Sequence, residues 1–267
     1  MIPKIIHYCW FGKNPKPILA EKCIESWKKN CPDYIIKEWN ENNFDVGRVD
    51  YVREAYEARK WAFVTDYVRL FAMVTEGGIY LDTDVEILRP LDSFLIHRAF
   101  SGFENTNTVP TGIMACEKKF PLFQELLDEY EIRHFKLDNK KYDLTPNVVG
   151  ITNKCVEHGL KLNNELQEVD GFVLYPKDVF CPKSYVTGVI EKTDRTYTIH
   201  HFSGSWRTRE DVISGKIKGY FGRYGKAGIY FGKILAAPFT FIAITQKDGL
   251  KSALRLCMKK ILFLKRN

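Results

Sequence analysis

The chain is poor in features that mark several protein classes. Among its 267 residues no uncharged apolar run reaches about 18, the length that reads as a membrane-spanning helix, so no segment is expected to cross a bilayer plainly. Its seven cysteines, Cys9, Cys23, Cys31, Cys116, Cys155, Cys181 and Cys257, are odd in number and never spaced as CxxC. That spacing suggests neither a zinc knuckle nor a disulfide framework, and a reducing cytoplasm fits best. The opening MIPKIIHYCWFG has no basic segment ahead of a long apolar one and no small-residue cleavage site. It reads as a strand instead of a leader. Internal repeats and low-complexity linkers are lacking too. Acid is nearly absent from one end: residues 218–267 hold eleven Lys and Arg against Asp248 alone.

That last shortage divides the chain. The formal charge is +7, residues 218–267 account for +10, and residues 1–217 are left at −3. An anionic partner is therefore expected for the tail and not for the whole chain. With 45% hydrophobic residues there is material for one large domain, or for a domain with an appendage.

Periodicity supplies the elements. KIIHYCW (4–10) and YIIKEW (34–39) read as strands, joined by a helix that starts near Pro17 and carries Ile18, Leu19, Cys23, Ile24 and Trp27. A helix from about Lys60 to Glu76 is stopped by Gly77 and Gly78 and leads into a strand over Ile79–Leu81. DVEILRPL, AFSGFE, TGIMAC, FVLYP and TYTIHHF read as extended, while residues 120–135 and 147–159 read as helical. Strands alternating with helices predict an α/β fold: a mixed, mainly parallel sheet with helices on both faces. Ligands in such sheets collect at the carboxyl ends of strands.

One such end is GGIYLDTD (77–84), which closes an apolar strand on Asp82 and Asp84. Strand alternation throws both carboxylates onto one face. Shielded from water, one would have to be protonated unless positive charge stands between them. Hard oxygen ligands of this kind suit Mg²⁺ or Mn²⁺ carrying phosphates. Two solvated acids in a polar loop are the alternative, and the GG turn and apolar strand favour the metal.

The preceding helix, KWAFVTDYVRLFAMV, is apolar on nearly every side yet holds Asp66 and Arg69. Such a helix is buried, and buried charge must be paired. The two residues lie i, i+3 on one face, so they pair with each other or project together into the site of DTD, Asp66 toward sugar hydroxyls and Arg69 toward an anionic group. HHFSGSW (200–206) offers a histidine ligand if its strand returns beside DTD, with Ser205 facing phosphate oxygens and Trp206 capping the site. Either histidine could instead be a packed residue. Trp10, in the YCWFG turn, is either core or presented to a flat base by the turn that Gly12 favours.

Taken together, GGIYLDTD, TDYVR, IPKIIHYCWFG, SWKKNCPDY and HHFSGSW resemble the DXD-containing sugar-binding-region glycosyltransferases of family 32. That family includes capsular polysaccharide transferases and yeast-type mannosyltransferases, and is distantly similar to glucosylating bacterial toxins. The resemblance covers about residues 1–207. It implies a GT-A fold, a nucleotide-sugar donor, Mn²⁺ or Mg²⁺, and transfer with retention. By position, Trp10 resembles the tryptophan that stacks on the nucleotide base, and Asp66 and Arg69 resemble the pair that holds donor sugar and phosphate. Asp82 matches the first DXD aspartate, near ribose and sugar, and Asp84 the second, a direct metal ligand. His201 stands where relatives place an acidic or histidine ligand, though the toxins differ there. Ser205 and Trp206 resemble the loop that closes over the diphosphate.

The resulting expectation is a GT-A glycosyltransferase domain over 1–210 and a basic amphipathic helical tail over 211–267. The domain would move a sugar to a glycan or lipid-linked acceptor in cell-surface polysaccharide or glycolipid synthesis. In the tail, Leu250, Leu254, Cys257, Met258, Ile261 and Leu262 recur at helical steps, with Lys251, Arg255, Lys259 and Lys265 on other faces. The upstream GIYFGKILAAPFTFIAI is interrupted by Lys233 and Pro238, and is expected to insert shallowly or dock instead of spanning. A helix packed on the sheet is the alternative. The tail is expected to bind an anionic membrane surface, placing the protein peripherally on the inner face of the cell membrane, with no nucleic-acid partner. Two other readings remain: a DxD phosphohydrolase, disfavoured because Glu86 stands where a threonine or small apolar residue is needed, and a non-enzymatic membrane- or nucleic-acid-binding adaptor, which leaves DTD, Asp66 and Arg69 unexplained.

Overall fold

The structure, a computed structural model, describes residues 1–109, 112–138, 141–185, 187–204, 209–248, 250 and 254. Ser205, Trp206 and the tail residues Lys251, Arg255, Cys257, Met258, Lys259, Ile261, Leu262 and Lys265 lie outside them. The chain divides into two compact units, Met1–Lys183 with Glu191–Ser203, and Ser184–Ile190 with Gly204–Asn267.

In the first unit, β1 (Ile5–Cys9), α1 (Ile18–Asn30) and β2 (Ile35–Trp39) form the opening βαβ unit. Next come α2 (Asp50–Glu57), α3 (Trp61–Glu76), β3 (Gly78–Leu81), β4 (Val85–Ile87), β5 (Ala99–Gly102), β6 (Ile113–Cys116), α4 (Pro121–Asp128) and α5 (Asn147–Glu157). The unit ends with β7 (Gln167–Val169), β8 (Phe172–Tyr175), α6 (Lys177–Phe180) and β9 (Thr198–His200). Seven strands make one sheet in the order β2-β1-β3-β6-β5-β8-β7, while β4 and β9 pair separately. β6 and β7 run against the other five strands of that sheet, so it is mixed and mainly parallel, as the alternating pattern predicts.

Strand alternation sorts the core onto two faces. Cys9, Tyr80, Met114, Ala99, Phe172 and Leu174 point to one side, where α2, α3, α4 and α5 pack. Ile6, Tyr8, Ile79, Leu81, Ile113, Ala115 and Phe100 point to the other, against Cys23 and Trp27 of α1 and Phe180 of α6. Trp27 is fully buried and its indole N–H donates to the Val85 carbonyl at 2.7 Å, tying α1 to β4.

The GG pair turns α3 into β3 because only glycine fits. Gly77 and Gly78 have φ of +70° and +105°. A Cβ on Gly77 would stand 2.7 Å from the Lys118 amide nitrogen, and one on Gly78 2.7 Å from the Ile5 carbonyl. Both obstacles are backbone and cannot swing aside.

The second unit holds α7 (Arg209–Gly222) and α8 (Gly225–Asp248). Pro238 lies inside α8. It costs the bond to the Ile234 carbonyl, but the helix runs on through it. Residues Ala227–Thr245 are, by length and composition, long and apolar enough to cross a membrane.

Candidate metal and donor site

Because β1 and β3 are parallel neighbours, their carboxyl ends share an edge, bringing Trp10 and Asp82 to the same rim of the sheet. The DTD segment is a turn and not the extended end of a strand. Asp82 N–H donates to the Gly112 carbonyl at 2.9 Å, and its own carbonyl accepts from Val85 N–H at 3.0 Å. A reverse turn, not strand alternation, therefore sets the two carboxylates.

The third member of the cluster comes from β9. Its antiparallel register sets His200 opposite Val85, one residue beyond Asp84. His200 Nε2 lies 3.2 Å from Asp84 Oδ1. Ligand atoms of Asp82, Asp84 and His200 lie within 4.8 Å of one another. The other Asp84 oxygen, Oδ2, accepts from the Ser203 N–H at 2.7 Å and from its hydroxyl at 2.9 Å. A Cβ on Gly112 would come within 2.8 Å of His200 Nδ1, so the ring needs glycine there.

Burial pushes the Asp84 carboxyl up, but the His200 imidazolium and the Ser203 bonds outweigh it and hold Asp84 well below the usual carboxylate range. Burial likewise works to strip His200 of its proton, and Asp84 keeps the ring charged well above the usual histidine range. Its Nδ1 is buried with no well-aligned hydrogen bond among the described residues, the Cys181 thiol adding a weak contact.

Arg69 supplies the second positive group. From α3 its Nη2 lies 3.3 Å from Asp66 Oδ1 and 3.4 Å from Asp82 Oδ1, with the guanidinium 4.7 Å from the centre of the Tyr80 ring. The Tyr80 hydroxyl donates to Asp82 Oδ1 at 2.9 Å. Asp66 and Arg69 thus pair with each other, and Arg69 also reaches the DTD turn. Burial drives the Asp66 carboxyl up to about 7 against the pull of Arg69.

Two carboxylates, buried Asp84 and half-buried Asp82, thus stand with an imidazole and a guanidinium at a strand-end rim. The profile described as the glycosyltransferase sugar-binding region containing DXD motif matches residues 17–101, a span that includes Asp66, Arg69, Asp82 and Asp84. Residues 17–101 of this chain thus resemble the DXD-containing sugar-binding region of glycosyltransferases. Inositol phosphoceramide mannosyltransferase 3 of Schizosaccharomyces pombe is 28% identical over 134 residues, covering 47% of this chain and 36% of that protein. Subversion of eukaryotic traffic protein A of Legionella pneumophila is 25% identical over 179 residues, covering 53% of this chain and 27% of that protein. The chain spans about a quarter to a third of the length of the curated relatives it matches. Among solved structures, a glycosyltransferase involved in the glycosylation of the major capsid of PBCV-1 aligns at TM-score 0.44 and 12% identity, over 76% of this chain and 95% of that one.

The histidine beside DTD is His200, not the expected His201. Strand alternation turns neighbouring residues to opposite sides, and His201 Nε2 meets Glu86 Oε2 at 2.9 Å instead. Trp10 is half-buried, its indole N–H donating to the Asn14 carbonyl at 2.6 Å and Lys16 lying 5.9 Å from the ring centre.

Three polar neighbours escaped the sequence reading. Ser203 holds Asp84 from inside the HHFSGSW segment, where attention fell on Ser205. Glu104, just beyond β5, has its carboxyl pushed up by burial, with the His200 charge pulling it back. Half-buried Lys183 donates to the His201 carbonyl at 2.6 Å; burial lowers its pKa, and Asp84 acts against that. A strand's return beside DTD could have pointed to Ser203, but Glu104 and Lys183 sit in no local pattern.

Proposed function

We propose that the chain is a retaining, metal-dependent glycosyltransferase, moving one sugar from a nucleotide diphosphate donor to a hydroxyl acceptor in cell-surface polysaccharide or glycolipid synthesis. The observation that carries this reading is the Asp82–Asp84–His200 cluster, joined through Asp82 to Arg69. Two carboxylates and an imidazole, with the buried Asp84 already steadied by Ser203, match the donor set of Mn²⁺ or Mg²⁺. Asp82, Asp84 and His200 would hold the ion, whose charge binds the donor's diphosphate and eases its departure.

The chain's own groups do the rest. Arg69, fixed by Asp66 and Asp82, offers its charge to the phosphates and to the negative charge that grows on the leaving group. Asp66 takes the donor-sugar hydroxyls, and Trp10 stacks on the base. Retention follows from the family resemblance, as does a lipid-linked or glycan acceptor. The mannosyltransferase name of the S. pombe relative puts mannosyl donors first among those to try.

The test is a panel of nucleotide sugars, read for Mn²⁺-dependent release of the nucleoside diphosphate, with Asp84→Asn as the control. One donor should turn over with the cation and stop with EDTA. The nearly isosteric variant should lose about 10²-fold or more while keeping its melting temperature. Turnover of p-nitrophenyl phosphate with no nucleotide sugar accepted would replace this reading with the phosphohydrolase.

A further inference from the structure

The helical pair of the second unit is packed the reverse way to a water-soluble one. The α8 face against α7 is made of small residues. Gly228, Gly232, Ala236 and Ala243 are buried at steps of four, four and seven residues, which keep to one helix face. A Cβ on Gly232 would stand 2.9 Å from Phe221 Cβ and 3.3 Å from Lys218 Cα, so the backbones already lie close. Ser214 and Thr240 hydroxyls bond across the pair at 2.8 Å, and Lys218 Nζ donates to Thr240 at 3.2 Å. The large apolar residues face away, save that the half-exposed Phe231 ring also meets the Phe221 ring of α7 edge-on at 5.1 Å. Tyr230, Phe231, Ile234, Leu235 and Ile242 are 43–60% exposed. Only 22% of the apolar window in Ala227–Thr245 is buried. Small residues and hydroxyls inside with bulky apolar side chains outside is how helices pack when the surroundings are lipid.

We infer that the outer face of α8 is seated in a lipid bilayer, with α8 lying along the interface and α7 on its water side. Nineteen residues at 1.5 Å each make about 28 Å, enough to span, but α7 decides against it. α7 lies along α8 from Ser214 opposite Thr240 to Phe221 opposite Gly228 and Gly232. A spanning α8 would drag Glu210, Lys216 and Lys218 of α7 into the hydrocarbon, where charge is costly. Lying flat, α8 presents to the lipid an arc from Tyr230 round to Leu235, and Lys233 sits at its margin, where its stem can reach the headgroups. The +10 balance of residues 218–267 selects a bilayer with anionic headgroups.

The test uses the full chain and two kinds of vesicle, phosphatidylcholine alone and phosphatidylcholine with phosphatidylglycerol. The protein should float with both, more completely with the anionic one, and high salt should release only part of it. Tyr230→Glu with Ile234→Glu, both on the outer face, should lower flotation at least tenfold while leaving the circular dichroism spectrum unchanged. Tryptophan placed singly at Tyr230 and at Ile242 should be quenched by brominated lipid at the same shallow depth. Unequal depths, with one site near the bilayer centre, would overturn the flat seating. Undiminished flotation of the double variant, or no flotation of the parent, would overturn the lipid assignment. So would a lipid-free dimer that the double variant breaks while the parent binds no vesicle.

Discussion

Trp10 stands at the rim of the sheet with its indole nitrogen tied to the Asn14 carbonyl and part of its face open. A ring fixed in this way loses little freedom when a base lies on it. Trp10→Ala should raise the donor dissociation constant by the equivalent of ~1–3 kcal/mol, measured by titration calorimetry with the nucleoside diphosphate. A fall in melting temperature worth about 3–5 kcal/mol, with unaltered affinity, would make it a core residue instead. The acidic half of the site was legible in the sequence because Asp66, Arg69, Asp82 and Asp84 sit on or just beyond elements whose periodicity is strong. The choice between His200 and His201 was not legible. It depends on which of two adjacent residues the β4–β9 register turns toward Asp84, and that register is a long-range pairing across more than a hundred residues.

The turn between α3 and β3 carries the DTD segment on its far side, and its two glycines are held by backbone obstacles. Gly78→Ala should cost about 2–5 kcal/mol, from the left-handed conformation together with the close approach to Ile5, and should appear as a large drop in the urea midpoint. An unchanged midpoint would mean that the close approach is relieved cheaply. Elsewhere His158, which caps α5, joins Asp170 Oδ2 at 2.6 Å and Glu125 Oε2 at 3.1 Å. The bond to Asp170, then that to Glu125, raises its pKa above the ordinary histidine value. Its stabilisation is therefore fully present below about pH 6.5 and is lost as pH rises through the higher folded value. The melting-temperature gap between the parent and His158→Gln should be wide at pH 5.5 and narrow at pH 8.5; a gap that widens with pH would reverse the sign. The long strands and α3 could be read from pattern alone. α2, with its short polar sequence, could not, nor could the continuity of α8 through Pro238.

Seen whole, the chain places a mildly acidic α/β unit and a strongly basic, outwardly apolar helical pair in one polypeptide. The acidic unit keeps its densest charge where a cation is expected, yet that charge is already answered: Arg69 faces Asp82 and the charged His200 ring faces Asp84. Each carboxylate therefore already has a nitrogen partner within 3.4 Å. The consequence is an order of events. A free divalent ion arriving by itself must compete with an internal counter-ion, whereas one already bound to a diphosphate brings new contacts, to Arg69 and to the base platform, that repay the exchange. The cation should thus enter as the donor's companion. In calorimetry Mn²⁺ alone should bind weakly, and its affinity should rise at least tenfold once a nucleoside diphosphate is present. Equal affinity with and without the nucleotide would show that the ion is a permanent tenant.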